Sequence, residues 1–439
     1  DADRQKLSDF IKPKLDAIFP QLPKDPDQSI FSFTLHRPSL SFVPWACVVT
    51  DFQYNRSLPY FELFVPTAET TSIKTVMHAL VTVNRNILLS GVTGVGKSAV
   101  AMDFICNTLR ADNPNEPFEY FTTCFSAQTR AADLLERMEG KLNKIKAQLL
   151  GATPGKKAIF FIDDINMPAL EKYGASPPIE VLRQLMSQRG FYDLKKKPAL
   201  FKEVQDLLFI AACGVPGGGR NELTQRLTSR HHMLCQPSVT TLSMKRIFTL
   251  ILGGFLSVWS MDVRRIASKL VEATKTCYER ISAEKLPTPA KSHYTFNLRD
   301  FGKVIQGLLQ ASPNSVTDSD GFIRLFIHEV SRVFHDRLAD DDDRKWWWAT
   351  LMETVTKQFD VTWSSAYDSL LFGDFMRAEN RMYEEVADIG AFQDKLADYQ
   401  MSYNLDNNKE AELVFFRDAA HHIARICRIC RQPRGNALL

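Results

Sequence analysis

One short run of residues has the composition needed to bind phosphate groups. The pattern G-x-x-x-x-G-K-[ST] is matched in full by Gly91, Val92, Thr93, Gly94, Val95, Gly96, Lys97 and Ser98. Glycines let the backbone N–H groups of such a loop curl around phosphate oxygens, and the helix that follows adds the partial positive charge of its N-terminus. Lys97 would reach the β- and γ-phosphates, and the Ser98 hydroxyl would ligate Mg²⁺. Residues 91–98, called the P-loop below, therefore predict a site for ATP or ADP with Mg²⁺.

An acidic pair ends an apolar stretch farther along the chain. Residues 158–164 read Ala-Ile-Phe-Phe-Ile-Asp-Asp, which is the Walker B pattern of a buried strand that ends in two carboxylates. Asp163 would hold Mg²⁺ through water, and Asp164 stands where an acid that activates the attacking water is expected. AAA+ ATPases usually place Glu there, and the shorter Asp places the carboxylate about 1.5 Å farther from the attacking water. We therefore expect secure nucleotide binding, with Asp164 a doubtful catalytic base.

The next apolar stretch, Leu207–Ala212, lacks the polar residue that an AAA+ module carries near its end. The chain continues as Cys-Gly-Val-Pro-Gly-Gly-Gly-Arg from Cys213 to Arg220, without Asn or Thr at the expected position. Gly214 has no side chain that could orient a water molecule. This is a second reason to expect slow or absent hydrolysis.

The elements around these motifs alternate between short apolar runs and longer amphipathic stretches. The runs Ile87–Leu89, Ala158–Ile162 and Leu207–Ala212 have the length of buried parallel strands, and Ala99–Leu109 is predicted as the helix after the P-loop. This alternation predicts an α/β fold, a parallel sheet with helices on both faces. After about Ser238 helical periodicity dominates, in Met261–Ser282, Leu298–Leu309, Phe322–Leu338 and Ala411–Cys430. The predicted organisation is a lead-in at 1–57, a large nucleotide-binding domain at 58–238, a helical lid at 239–400 and a helical approach to a next module at 401–439.

Composition narrows the classes of partner. With 45% hydrophobic and 24% charged residues the 439-residue chain is globular, and a formal net charge of +3 favours neither nucleic acid nor an acidic membrane. Eight scattered cysteines indicate a reduced, intracellular protein. The apolar stretch 247–261 is too short to span a bilayer. Two groups of charged residues have no role in the motifs above. Asp340–Asp343 is predicted as a solvated turn. Arg425, Arg428, Arg431 and Arg434 would meet acidic groups on a neighbour or, less favoured, RNA.

The two ends of the chain suggest a piece of a tandem array. Arg-Asn-Ile-Leu-Leu at 85–89 leads into the P-loop, and Gly-Asn-Ala-Leu-Leu closes the chain at 435–439. The similarity of these two segments predicts that the chain ends just before the phosphate loop of a second copy of the module.

Several longer motifs together resemble the third AAA+ module of an axonemal dynein heavy chain. The resemblance covers nearly the whole chain and rests on Asp163-Asp164-Ile165-Asn166-Met167-Pro168, on residues 173–180 with Leu182-Arg183-Gln184, on Pro216-Gly217-Gly218-Gly219-Arg220-Asn221 and on residues 293–300. Residues 328–338 look like the family's lid, and residues 431–439 look like the approach to its fourth module. The family implies a six-module ring in which ATP drives a microtubule motor, with the principal hydrolysis at the first module and a regulatory role for the third.

The resemblance also implies roles for single residues. Val65-Pro66-Thr67 is similar to the loop that lies against the adenine, and Arg299 stands where the lid's sensor arginine reaches the phosphates. Arg226 and Arg230 are candidates for the arginine finger offered to the neighbouring module's nucleotide, with a structural ion pair as the alternative for each. The implied partners are neighbouring AAA+ modules. Through the full-length motor they also include dynein intermediate and light chains and microtubules. The implied location is the cytoplasm and cytoskeleton, in the axoneme of a cilium or flagellum. Neither nucleic acid nor a membrane is expected.

Two other functions remain open from the residues. The chain could be a self-sufficient AAA+ remodelling ATPase that works as a homo-oligomer, or a structural module with permanently bound ADP. The short acid Asp164 and the missing polar sensor at Gly214 speak against the first, and slow nucleotide exchange would favour the second.

Overall fold

The computed structural model describes residues 2–16, 18, 29–36, 39–109, 118–193, 198–377, 381–407, 411–433 and 435–437. Within them the chain divides into two compact units. Unit 1 comprises residues 1–51 and 66–243, and unit 2 comprises residues 52–65 and 244–439. The closing Leu438 and Leu439 of the segment 435–439 lie outside the described residues.

The strands lie mainly in unit 1. They are β1 (Phe33–His36), β2 (Ser41–Pro44), β3 (Ile87–Ser90), β4 (Phe118–Cys124), β5 (Asn143–Lys146), β6 (Leu149–Gly151), β7 (Lys157–Asp163), β8 (Gly190–Asp193), β9 (Leu200–Gln205), β10 (Leu207–Cys213), β11 (His232–Cys235), β12 (Phe372–Gly373) and β13 (Glu384–Glu385). Five of them form a parallel sheet in the order β11-β3-β10-β7-β4. The three strands predicted from the sequence are its centre.

The helices occur in both units. They are α1 (Ala2–Asp16), α2 (Ala68–Thr82), α3 (Lys97–Asp103), α4 (Ala131–Glu139), α5 (Pro177–Gln188), α6 (Gln225–Thr228), α7 (Thr241–Phe255), α8 (Met261–Glu284), α9 (Leu298–Leu308), α10 (Ser319–Val333), α11 (Asp341–Phe359), α12 (Ile389–Asp406) and α13 (Arg417–Arg431). Helix α3 is followed by a π-helical turn, Phe104–Thr108. The helix predicted after the P-loop is therefore regular only in its first half.

The central strands are buried on both faces. Leu88 and Phe160 belong to a core cluster that includes Leu134 of α4 and Leu182 of α5. Their neighbours along the strands, such as Ile87, are equally inaccessible to solvent. Side chains alternate between the faces of a strand, so this sheet has both faces covered, as its nearly continuous apolar strands require. The predicted α/β class with a parallel sheet is confirmed.

Unit 2 is mainly helical, as its sequence periodicity predicts, and its last helix, α13, is joined to earlier segments of the unit by ion pairs. Arg428 of α13 pairs with Glu329 of α10, which is fully buried. Arg425 lies 3.3 Å from Asp336, and Arg431 pairs with Asp374. These three arginines, which the sequence left to a neighbour or to RNA, therefore pair with acids of their own unit, and Arg434 lies outside the described residues.

Two other sequence predictions about unit 2 are wrong. The helix predicted from Ala411 begins only at Arg417. The acidic run 340–343 is not a solvated turn, because Asp341–Asp343 form the first turn of α11. There Asp343 is 7% exposed and accepts hydrogen bonds from Lys285, Lys291 and the Tyr294 hydroxyl. A carboxylate can be buried at this position because each of these partners donates to it.

By length and composition alone, one helix among the described residues could cross a membrane. The window Thr241–Val258 has a mean hydropathy of 1.3 and is 39% buried. It is longer than the stretch singled out from the sequence, but it is weak evidence. Phe248, Leu252 and Leu256 from this window are almost fully buried, as expected for a helix whose apolar face packs in a core.

Candidate functional site

The P-loop connects β3 to α3 at the carboxyl edge of the parallel sheet. Gly94 and Gly96 both have φ of +88°, a backbone conformation that L side chains rarely adopt. A Cβ on Gly91 would lie 2.6 Å from the backbone oxygen of Gln236. Glycine is therefore required at 91 by close packing, and at 94 and 96 by backbone conformation.

Lys97 is the first residue of α3 and is only 9% exposed. Its Nζ donates to the backbone oxygens of Gly91 and Val92, at 2.9 and 2.7 Å. Burial lowers the pKa of Lys97, and the nearby carboxylates of Asp163 and Asp164 partly oppose this change. A desolvated ammonium group at the base of the loop would gain from an anion placed there.

Gln236 supports the P-loop from the neighbouring strand, and sequence reasoning missed it. Its Nε2 donates to the backbone oxygen of Val95 at 2.6 Å, and its backbone N–H donates to Ser90 at 2.8 Å. Gln236 is 4% exposed and follows β11 directly. An amide side chain immediately after a short apolar strand was the only signal in the sequence, and it does not specify a partner.

The two predicted magnesium ligands lie together. The Ser98 hydroxyl donates to Oδ2 of Asp163, the last residue of β7, at 2.6 Å. Both groups are hard oxygen donors of the kind that Mg²⁺ prefers. The described residues contain no group of three or more His, Cys, Asp and Glu side chains suited to a metal ion. The fit is therefore to a Mg²⁺ ion that takes its other ligands from water and nucleotide phosphates, as in other phosphate-loop sites.

Asp164, the doubtful base, lies beside these ligands in an unusual backbone conformation. Its φ is +50°, which is uncommon for a residue other than glycine. Its Oδ1 lies 3.4 Å from Nη2 of Arg220, and its own backbone N–H donates to Asp163 Oδ1 at 3.0 Å. The side chain that would activate water is thus paired with a cation from the loop after β10, a partner that sequence reasoning missed.

Two asparagines join the segment after β7 to the loop after β10. Asn166 Nδ2 donates to the backbone oxygens of Gly214 and Asn221, at 2.9 and 3.2 Å. Asn221 Nδ2 donates in return to the backbone oxygen of Pro168 at 2.6 Å. The two motifs that carried much of the family resemblance, at 163–168 and 216–221, therefore form one hydrogen-bonded structure beside the P-loop.

Thr67 of the predicted adenine loop has a local structural role. It is the N-cap of α2, and its hydroxyl accepts a hydrogen bond from the backbone of Thr70 at 3.3 Å. Pro66 precedes it in unit 1, whereas Val65 is assigned to unit 2. The contact of these three residues with adenine stays a prediction.

The three predicted arginines are exposed. The backbone oxygen of Arg230 accepts from Asn86 Nδ2, just before β3, at 3.4 Å, so Arg230 lies toward the sheet edge opposite the P-loop. Arg226 is loosely placed, since its nearest described acid is Glu180 at 3.8 Å. Arg299 is the second residue of α9, in unit 2. A sensor role for Arg299 and a finger role for Arg226 or Arg230 remain predictions.

Comparison with known proteins agrees with this geometry. The family described as the P-loop containing dynein motor region matches residues 52–239, and the AAA+ lid domain matches residues 270–367. Human dynein axonemal heavy chain 6 is 43% identical over 403 residues, which are 90% of this chain and 10% of that protein. Mouse dynein axonemal heavy chain 1 is 39% identical over 91% of this chain and 10% of its own length.

A more distant relative covers nearly the whole chain. The dynein-1-beta heavy chain of the flagellar inner arm I1 complex, from Chlamydomonas reinhardtii, is 34% identical over 99% of this chain and 10% of its own length. The chain thus spans about a tenth of the length of the curated relatives it matches. With its P-loop, parallel sheet and helical second unit, the chain belongs to the dynein heavy-chain family and carries a dynein AAA+ motor region followed by an AAA+ lid.

Proposed function

We propose that this chain is a regulatory nucleotide-binding module, the third of the ring, in an axonemal dynein heavy chain. It binds ATP or ADP with Mg²⁺ and hydrolyses ATP slowly or not at all. The observation that carries the proposal is the juxtaposition of Lys97, Ser98 and Asp163, a phosphate- and magnesium-binding set, with an Asp164 that is paired with Arg220.

Two features of the site support slow hydrolysis. Asp164 is shorter than the usual Glu, and its carboxylate is shared with a guanidinium group. Gly214 offers no side chain to orient water. The nucleotide at this site would therefore act mainly through its binding state, by changing how rigidly neighbouring modules pack.

The activity of the whole motor is part of this proposal. The relatives' names place them in axonemes or flagella, and we infer the same place for the protein that contains this module. Its direct partners are neighbouring AAA+ modules of the same heavy chain. Intermediate chains, light chains and microtubules are partners of the complete motor, and ATP-driven movement along microtubules is its activity.

A nucleotide-exchange experiment on the 439-residue chain tests the proposal. The nucleotide carried by the purified chain is released and identified, and binding and turnover of added Mg-ATP are then followed. Lys97→Ala should weaken binding at least about 100-fold, since it removes a charged donor to the phosphates. Lys156→Ala, at an exposed lysine of the same unit, is the matched control and should bind normally. Wild-type turnover should lie far below about 1 s⁻¹, the lower end for typical enzymes.

Each alternative function has its own outcome. Turnover above about 1 s⁻¹ by an assembled homo-oligomer would favour a self-sufficient ATPase and would mean that Asp164 is an adequate base. Exchange that stays undetectable over hours would favour a structural module with permanently bound ADP. A wild-type chain that binds neither nucleotide would refute the proposal.

A further inference from the structure

The loop after β10 is shaped to return Arg220 to the end of that strand. Gly217, Gly218 and Gly219 all have positive φ, at 112°, 58° and 85°. The Gly217 N–H donates to the Arg220 oxygen at 2.9 Å, and the Arg220 N–H donates to the Gly217 oxygen at 3.2 Å. Three successive residues in this conformation are tolerated only by glycine, so the triple-glycine sequence makes the tight reversal that brings Arg220 back.

Arg220 occupies the space that a side chain at 214 would need. A Cβ built on Gly214 would lie 2.5 Å from Nε and 2.6 Å from Cδ of Arg220. Real Cβ atoms essentially never show such contacts. A polar residue at 214 and the present position of Arg220 are therefore mutually exclusive. The space beside Gly214, where the sequence lacks a polar side chain, is thus filled by an arginine six positions later.

The guanidinium group lies among the charged groups of the nucleotide site. Its Nη2 is 3.4 Å from Asp164 Oδ1, and the Asp164 N–H donates to Asp163, which accepts from the Ser98 hydroxyl of the P-loop. The Nε of Arg220 is buried and has no hydrogen-bond acceptor among the described residues. A buried donor without an acceptor costs free energy. Arg220 and Lys97 are both cations, and an anion bound between them would accept hydrogen bonds from both.

We propose that Arg220 senses the terminal phosphate of the nucleotide bound at the P-loop. With ADP its guanidinium stays on Asp164, and with ATP it is shared between Asp164 and the γ-phosphate oxygens. Arg220 is thus a nucleotide-contacting residue that distinguishes ATP from ADP. This inference rests on the proposed nucleotide-binding function, and it adds a residue that reads which nucleotide is bound.

The hydrogen bonds of Asn166 connect the loop that carries Arg220 to another segment of unit 1. Gly214 and Asn221 flank the loop, and the backbone oxygens of both accept from Asn166. A shift of Arg220 between Asp164 and a phosphate would therefore act on the segment that contains Asn166 and Pro168. That segment follows the magnesium-binding end of β7 directly.

The test compares the affinities of the 439-residue chain for Mg-ADP and for a Mg-bound, non-hydrolysable ATP analogue. Arg220→Ala should weaken binding of the analogue about tenfold, since it removes a charge-assisted contact to one phosphate. Binding of ADP should change by less than about twofold on the same reasoning. Arg220→Lys should restore part of the difference, because it keeps the charge but not the fork of donors. Asp164→Asn should strengthen binding of the analogue relative to ADP, because it removes the competing carboxylate.

The control is Arg130→Ala, which removes an exposed arginine after β4 at the same edge of the sheet. It should leave the ratio of the two affinities unchanged. Equal weakening of both nucleotides in Arg220→Ala would show that Arg220 only supports its loop, and unchanged affinities for both would show that Arg220 does not contact the γ-phosphate. Either result overturns the inference without contradicting nucleotide binding by the wild-type chain. Loss of both nucleotides in the wild-type chain would refute the proposed function itself.

Discussion

Replacing Gly307 with alanine should destabilise unit 2, because the new methyl group would enter space that Glu329 already fills. A Cβ at 307 would lie 2.5 Å from Cδ and 2.9 Å from Cγ of Glu329, and closer still to Oε2. Glu329 is fully buried and cannot withdraw freely. The Tyr383 hydroxyl donates to its Oε1 at 2.6 Å, and Arg428 donates to both of its carboxylate oxygens.

The expected loss of stability combines overpacking with disruption of a buried ion pair. Overpacking a core costs about 1 to 3 kcal/mol, and separating a buried ion pair such as Glu329 with Arg428 costs about 3 to 5 kcal/mol. Alanine in a helix interior returns at most about 1 kcal/mol relative to glycine. The free energy of unfolding should therefore fall by about 3 kcal/mol or more. For a domain of 150 to 250 residues this lowers Tm by about 6 to 12 °C.

Differential scanning calorimetry on the 439-residue chain measures this change, with the two units expected to give separate transitions. Gly253→Ala is the matched control, since Gly253 also lies inside a helix of unit 2 but its Cβ would meet nothing within 4 Å. The control should be neutral or slightly stabilised. A Gly307→Ala chain that melts within about 1 °C of wild type would refute the reasoning, because it would mean that Glu329 moves away at little cost.

Two further predictions concern buried titratable groups of unit 2. Burial lowers the pKa of His328 to about 3. Below about pH 6.5 the unfolded chain therefore binds a proton at this residue that the folded chain does not bind. The free energy of unfolding should fall as the pH drops from about 6.5 toward 3. His328→Gln should flatten this part of the pH profile in urea unfolding, and parallel profiles would contradict it. Burial raises the pKa of the Cys277 thiol to about 12. A thiol reagent at pH 8 should therefore label the exposed Cys47 and Cys430 quickly, and should label Cys277 only at the rate at which unit 2 unfolds locally. Rapid labelling of Cys277 in the native chain would show that this core is more open than described.

Local sequence predicted the parts of the site whose geometry is local. In the P-loop the glycines set the backbone, and Lys97 and Ser98 follow them within two residues. The strands β3, β7 and β10 were predictable for a similar reason, since a strand buried on both faces needs a nearly continuous apolar run. The position of Asp163 could also be predicted, because β7 ends in Asp163 at the same edge of the sheet where the P-loop follows the parallel strand β3.

Contacts between distant parts of the chain were decided only by the tertiary structure. Arg220 reaches Asp164 across 56 positions, Gln236 supports Val95 across 141, and Arg428 reaches Glu329 across 99. The sequence showed each of these side chains but not its partner. Gly214 marked the absence of a sensor in the sequence, whereas in space it is the gap that admits Arg220. Periodicity and composition state which side chains must be buried or paired, but the partner is chosen by the packing of elements that chain order alone does not bring together.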